Sequence, residues 1–235
     1  LYERAKILGC DHIATGHYAR ITQENGLYQL RKAYDETKDQ SYVLYDMTQE
    51  RLSRTLFPLG TLTKPEVRRL AEAHGLVSAH KRDSQDICFI PDGDYAGFID
   101  RCVGEASPTG PFLDEAGRVL GRHRGLPCYT IGQGKGLGIA VGKHVYVLAK
   151  HEADNTVVLG DNDRLFRTEL TANRVNWIAG PAPEGAFRCT AKTRYSQAET
   201  PALAEPLPDG RLHLTFDEPQ RAVTAGQAVV LYDGE

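Results

Sequence analysis

The sequence predicts an α/β segment, then a small central region, then a C-terminal β-barrel. Three observations predict it. Near the start, Leu1, Ala5 and Leu8 share one helical stripe that Gly9 stops. Asp11 to Thr15 follows as a short strand, so the chain opens helix, turn, strand. Around Val103 the composition shifts, and residues 104–142 are rich in Gly and Pro and poor in periodic runs. From Asn173 onward the pattern is short strands with turn residues between them, as in a small barrel.

The elements between these landmarks read as follows. Asn25-Gly26 is a hairpin turn leading into a strand over Tyr28 to Arg31. Lys38-Asp39-Gln40-Ser41 leads into an apolar run, Tyr42 to Tyr45. Thr63 with Glu66 three residues on is a capping box, and Leu62 and Val67 occupy the staple positions. Pro65 is tolerated in the first turn because its missing N–H would be unpaired there anyway. Val67, Leu70 and Ala71 form the expected buried stripe, and Gly75 ends that helix. Val145 to Ala149 and Thr156 to Leu159 are two strands joined through Asp154-Asn155. The later strands are Phe187 to Tyr195, Leu212 to Phe216, after an Asp209-Gly210 turn, and Ala228 to Tyr232. In this reading Arg188, Thr190, Lys192 and Arg194 share one strand face, a row of cations suited to a phosphate track.

Composition narrows the classes of function. Apolar content of 41% and charged content of 25% are ordinary for a globular chain of 235 residues. No apolar run approaches the roughly 18 residues of a membrane span, and no signal-peptide pattern is present, which points to the cytoplasm and to no membrane partner. Leu1 to Lys6 reads as the middle of a helix, and the only methionine is Met47, so a piece of a longer protein is expected. The net charge of −3 does not advertise a nucleic-acid binder. Locally, no acid occurs from Ala116 to Lys150, whereas Arg118, Arg122, Arg124, Lys135, Lys143 and Lys150 do. That stretch suits either a phosphate-facing surface or a solvated one. Cys10, Cys88, Cys102, Cys128 and Cys189 are irregularly spaced, with neither zinc-finger nor disulfide-framework patterning, and no metal-ligand spacing stands out.

Two segments suggest chemistry. Cys88 follows Asp83-Ser84-Gln85-Asp86-Ile87 and precedes Phe89, with Lys81 and Arg82 upstream. A thiol works as nucleophile or sulfur carrier only as the thiolate, which needs partial exposure and nearby cations; a buried small hydrophobe is the other reading. Gly16 and His17 stand at the carboxyl end of the first strand, where α/β sheets bind ligands, and also suit a tight turn with a surface histidine. The glycines of Gly132-Gln133-Gly134-Lys135-Gly136-Leu137-Gly138 match no phosphate-loop pattern; they suit a flexible loop beside RNA or a turn-rich connection.

Taken together, Ile13 to Ala19, Lys38 to Tyr42, Leu56 to Gly60, Asp83 to Ile90, Tyr129 to Gly138 and Arg194-Tyr195 resemble, in that order, the motifs of tRNA 2-thiouridylases. The resemblance covers essentially the whole chain. It implies the remnant of a pyrophosphatase-loop nucleotide-binding α/β domain over residues 1–102, a central domain over 103–170 and a β-barrel over 171–235. It implies ATP with Mg²⁺ as cosubstrate, with no permanently bound cofactor or structural metal. The reaction would be adenylation of the wobble uridine C2 oxygen, then sulfur transfer from a cysteine persulfide. Cys88 matches the persulfide cysteine and Gly16 a backbone position near ATP. His17, Lys38, Asp39, Gln40, Arg194, Tyr195 and Gln227 match positions that contact tRNA. Implied partners are a tRNA with a wobble uridine and a sulfur-relay protein or cysteine desulfurase.

The 235 residues also depart from the family pattern. They hold no Ser-Gly-Gly-x-Asp-Ser loop and no Cys-Asn motif, and Gly134 stands where the family usually has arginine. By themselves they are therefore expected not to hold ATP tightly, since that loop supplies backbone N–H groups to phosphates. Two other readings stay open at this stage. One is a non-catalytic tRNA-binding fragment or module, whose RNA affinity would survive loss of Cys88. The other is a different ATP-dependent nucleotidyl ligase, which would not need Cys88.

Overall fold

The computed structural model describes residues 1–80, 90 and 93–234. They form two compact units. Of the described residues, the first comprises 1–80, 169–218 and 227–234, and the second 90, 93–168 and 219–226. In chain order the elements are α1 (Tyr2–Ile7), β1 (Ile13–Ala14), β2 (Ala19–Glu24), β3 (Leu27–Lys32), α2 (Gln49–Ser53), β4 (Thr55–Leu56) and α3 (Lys64–Ala73). After these come α4 (Tyr95–Val103), β5 (Gly110–Leu113), β6 (Val119–His123), β7 (Tyr146–His151), β8 (Thr156–Gly160) and β9 (Phe166–Ala172). Last are β10 (Phe187–Lys192), β11 (Thr200–Pro206), β12 (Leu212–Arg221) and β13 (Val230–Tyr232).

In the first unit β1 and β4 pair in parallel, Ile13 opposite Thr55 and Ala14 opposite Leu56. The β2–β3 hairpin turns on Asn25 (φ 50°) and Gly26 (φ 81°). Both central residues need positive φ in a turn whose twist matches the strands, which explains Asn-Gly there. α3 starts at the expected capping box, where Glu66 Oε2 accepts from the Thr63 amide at 2.8 Å. Its expected apolar stripe is not buried: no α3 residue is, and Leu70 is half exposed among the described residues. α1 behaves likewise, with Leu1 and Leu8 largely exposed. Sequence periodicity marks an apolar face, but not whether anything covers it.

The C-terminal strands order as β13-β10-β11-β12-β9. Alternation along β12 sends Leu212, Leu214 and Phe216 inward, where they meet Ala191, Ala202 and Ala204. Small alanines opposite large side chains let the layers interdigitate. The strand expected over Phe187 to Tyr195 ends at Lys192. Buried Thr193 turns the chain there, its Oγ1 donating to Gln197 Oε1 at 2.6 Å. Arg194 therefore leaves the strand, and the expected cation row does not form.

The second unit holds a four-stranded sheet, β6-β5-β8-β7, over a core of Phe112, Tyr129, Leu137, Val145, Val147, Val157 and Leu159. Buried His123 is fixed in it by two polar contacts. Its Nδ1 accepts from the Gly125 amide at 3.1 Å, which leaves Nε2–H to donate to the Asn155 carbonyl at 2.9 Å.

Candidate functional site

The site is built in the first unit from three turns. The first follows β1. Thr15 continues the parallel pairing, its amide donating to the Leu56 carbonyl at 3.1 Å. Thr15 Oγ1 lies 2.9 Å from His17 Nδ1, and the His17 ring meets Phe57 edge-on at 6.0 Å. Gly16 is exposed, and a Cβ there would meet only Leu59 Cδ1 at 3.6 Å. Nothing within the unit demands glycine here, so bare backbone at the strand end is available to a ligand.

The second turn, residues 33–42, is held by side chains. Gln40 and Tyr18 exchange two hydrogen bonds: the Tyr18 amide donates to Gln40 Oε1 at 2.9 Å, and the Gln40 amide donates to the Tyr18 carbonyl at 2.8 Å. Asp39 accepts from three donors, the Ala33 amide at 2.9 Å, the Ser41 amide at 3.3 Å and Ser41 Oγ at 2.6 Å. Asp35 accepts from Thr37 Oγ1 and the Lys64 amide; these bonds, with a smaller contribution from the Lys38 charge, hold its carboxyl below the usual range. Ser41 Oγ is 3.1 Å from the Tyr232 hydroxyl, and Tyr42 donates to the Ala228 carbonyl at 2.8 Å, beside exposed Gln227. Burial pushes the Tyr232 hydroxyl up to about 12 and raises that of Tyr42, which the Arg194 charge opposes. Both phenols thus stay protonated and able to donate near neutral pH.

The third turn joins β10 to β11. Arg194 is half-buried, with its Nε shielded from solvent. Tyr195 is 46% exposed, and its ring stands 6.1 Å from that of Tyr42. Between the second and third turns lies a cleft of about 430 Å³. Asp39, Lys32, Glu36 and Thr37 line one side, and Lys192 and residues 195–199 the other. One wall is an ion pair in which Lys32 Nζ sits 2.8 Å from Glu199 Oε1 and over the Tyr232 ring at 5.0 Å. Thr190 Oγ1 donates to the other Glu199 oxygen at 2.7 Å. Both charged side chains are about a quarter exposed or less, so removing one leaves the other poorly solvated.

Of the expected site residues, Asp39 and Tyr195 line the cleft, and Lys38, Gln40 and Arg194 flank them in the same two turns. Gly16 and His17 connect through Tyr18 and Gln40, and Gln227 adjoins Ala228, the acceptor for Tyr42. Cys88 lies outside the described residues. Lys192 is expected from the sequence in a cation row rather than in a cleft; Lys32, Ser196, Gln197 and Glu199 carry no sequence signal, because what joins Lys32 to the others is contact across more than a hundred residues of chain.

Several expected phosphate ligands are engaged elsewhere. Arg188 forms an ion pair with Asp217. Within the acid-free stretch, Arg118 pairs with Asp114 and Lys143 with Asp161, both acids lying outside it in sequence. Arg124 and Lys135 are exposed. Burial raises the Cys189 thiol to about 11, so it stays protonated and unreactive near neutral pH.

Comparison with known proteins gives the family. Three family models cover the chain: a tRNA methyl transferase HUP domain over residues 1–92, a tRNA methyl transferase PRC-barrel domain over 96–161 and an aminomethyltransferase beta-barrel domain over 167–235. Over 237 residues the chain is 51% identical to the tRNA-specific 2-thiouridylase MnmA of Moorella thermoacetica, covering 100% of this chain and 66% of that protein. It is 47% identical over 250 residues to the same-named protein of Roseiflexus castenholzii, covering 100% and 67%. The chain belongs to the tRNA-specific 2-thiouridylase family. A third member, from Clostridium acetobutylicum, is 46% identical over 235 residues. The chain spans about two-thirds of the length of these curated relatives. Its architecture is therefore that of the family: HUP domain, PRC-barrel-like middle domain and C-terminal β-barrel-type domain. No helix among the described residues is long and apolar enough to cross a membrane.

Proposed function

We propose that this chain carries the tRNA-binding and sulfur-carrying parts of a cytoplasmic, ATP-dependent tRNA uridine 2-sulfurtransferase. The carbonyl at C2 of uridine is urea-like, and its oxygen leaves poorly. Attack of that oxygen on the α-phosphate of ATP, with loss of pyrophosphate, converts it into part of a good leaving group. The terminal sulfur of a Cys88 persulfide then attacks C2 and AMP departs. A second thiolate, from outside the Cys88 motif, attacks the Cys88 sulfur; a disulfide with Cys88 forms as the S–S bond to the base-bound sulfur breaks, and a thiol reductant then reopens that disulfide. Gly16 fits the nucleotide side of this reading, since its exposed backbone can approach a phosphate or ribose closely. Mg²⁺ would arrive with the ATP phosphates. A sulfur-relay protein or cysteine desulfurase would recharge Cys88.

The observation that carries the tRNA side is the cleft between residues 33–42 and 193–199, with the half-exposed Tyr195 ring at its edge. Loops that bind RNA commonly offer an aromatic face to an unstacked base and polar groups to its edge. Asp39 and Gln40 serve that surface by fixing its backbone, because the Asp39 oxygens and Gln40 Oε1 already accept protein hydrogen bonds. Tyr195→Ala tests the assignment. Loss of one stacked base costs about 1 kcal/mol, so tRNA affinity is expected to fall roughly fivefold. The melting temperature should stay unchanged. Unchanged affinity would remove Tyr195 from the interface.

A further inference from the structure

We propose that Arg221 and Lys135 form a second RNA-phosphate site in the second compact unit, an inference that rests on the tRNA-binding reading above. The loop of residues 129–138 is tied down at several points. The Gly132 amide donates to the Val147 carbonyl at 2.8 Å, and the Val147 amide to the Gln133 carbonyl at 2.9 Å. The Gln133 side chain accepts from the Thr130 amide at 3.0 Å and donates to the Lys135 carbonyl at 2.9 Å. Exposed Lys135 thus projects from an ordered backbone. Gly134 packs flat beneath Tyr146, where a Cβ would stand 2.6 Å from the ring carbon Cε1.

Arg221 comes to this same ring from the end of β12. Its guanidinium lies 5.2 Å from the centre of the Tyr146 ring. Nη2 donates to the Gly132 carbonyl at 3.1 Å, and Nε to Asn162 Oδ1 at 2.9 Å. The next residue, Ala222, is buried and held at φ 56°, its amide donating to the Leu165 carbonyl at 2.9 Å. A left-handed alanine costs roughly 1 kcal/mol, so the surrounding contacts hold the chain there against a local preference. Ring, carbonyl and amide fix the plane of the guanidinium but use only two of its five N–H groups. Among the described residues no carboxylate lies within ion-pair distance of Arg221. Arg118 and Lys143 differ, each paired to an acid.

An oriented, half-buried guanidinium with unused donors and no counter-ion is preorganised for an oxyanion. Inorganic phosphate and an RNA phosphodiester share that chemistry. The exposed Lys135 on the same loop, within a stretch free of acids, favours the extended polyanion. The cation missing from position 134 thus has a counterpart that reaches the loop through space.

The test measures binding of an unmodified tRNA transcript to the whole chain between about 50 and 200 mM salt. Arg221→Met and, separately, Lys135→Ala are each expected to lower affinity about fivefold at the low end. Each should flatten the slope of log K against log salt by about one. Arg221→Lys, which keeps the charge and loses the fork, should keep the slope. Lys135 is exposed, so its variant retains the test even if Arg221→Met folds poorly. An unchanged slope in Lys135→Ala overturns the site, as does a lower melting temperature with an unchanged slope in Arg221→Met. Unlabelled inorganic phosphate at millimolar concentration should compete only weakly; full competition would replace the polyanion by the free ion. If Tyr195→Ala weakens binding while neither loop variant does, only this inference fails. If the wild-type chain does not bind tRNA, the functional reading fails with it.

Discussion

Replacing Cys88 by serine is expected to abolish 2-thiouridine formation by the full-length enzyme while leaving tRNA affinity within about threefold, roughly 0.6 kcal/mol. The asymmetry follows from the chemistry. A thiol can hold a transferable sulfur in an S–S bond and release it to an activated carbon; a hydroxyl cannot. Serine is nearly isosteric, so the RNA surface should remain. Nucleoside analysis of the tRNA product and a binding isotherm measure the two quantities independently. Thiolation by the variant near the wild-type rate would show that the sulfur travels by another residue. Cys189 is a poor substitute, since burial keeps its thiol protonated, and its Sγ lies 3.8 Å from the Ala202 carbonyl.

Asp39→Ala is expected to destabilise the first compact unit by about 2–3 kcal/mol, the cost of stranding partly buried donors. Its carboxylate accepts from the Ala33 amide, the Ser41 amide and Ser41 Oγ. Through Ser41 the same turn reaches the Tyr232 hydroxyl on β13. Equilibrium urea unfolding should therefore show a lower midpoint. Affinity for tRNA should fall because the cleft wall loosens, and should recover partly in Asp39→Asn, which keeps one acceptor oxygen. Loss of tRNA affinity in Asp39→Ala with unchanged stability would mean instead that the carboxylate meets the RNA directly.

Local signals held where local physics decides. The Asn25-Gly26 hairpin, the Thr63–Glu66 capping box and the β7–β8 turn at Asn155 (φ 52°) all lie where their residues predict. The order of motifs was legible too, and it carried the family. Strand length was not. Alternation from Phe187 to Tyr195 suggested one continuous strand, but the Thr193–Gln197 hydrogen bond ends it and redirects Arg194 and Tyr195 into a turn. Side-chain pairing was equally hidden. Arg188 reads as a phosphate ligand until Asp217 comes beside it from β12, and Lys32 and Glu199 meet from 167 positions apart. Such contacts are fixed by tertiary packing, which leaves no periodicity in either segment. Arg221 belongs to the same class. Nothing in its neighbourhood in sequence connects it with Gly132, Gly134 or Tyr146.

The most direct measurement is the nucleoside composition of tRNA incubated with the full-length enzyme, ATP and a cysteine desulfurase with its cysteine substrate, which supplies sulfur already at the persulfide level. The family models that match this chain carry methyl transferase names, whereas its relatives are named 2-thiouridylases, so the identity of the transferred group decides between them. The account predicts that mass spectrometry finds 2-thiouridine, with sulfur in place of the C2 oxygen, in an amount that depends on ATP and on Cys88. A methylated nucleoside, or ATP consumption without any sulfur on the tRNA, would contradict it.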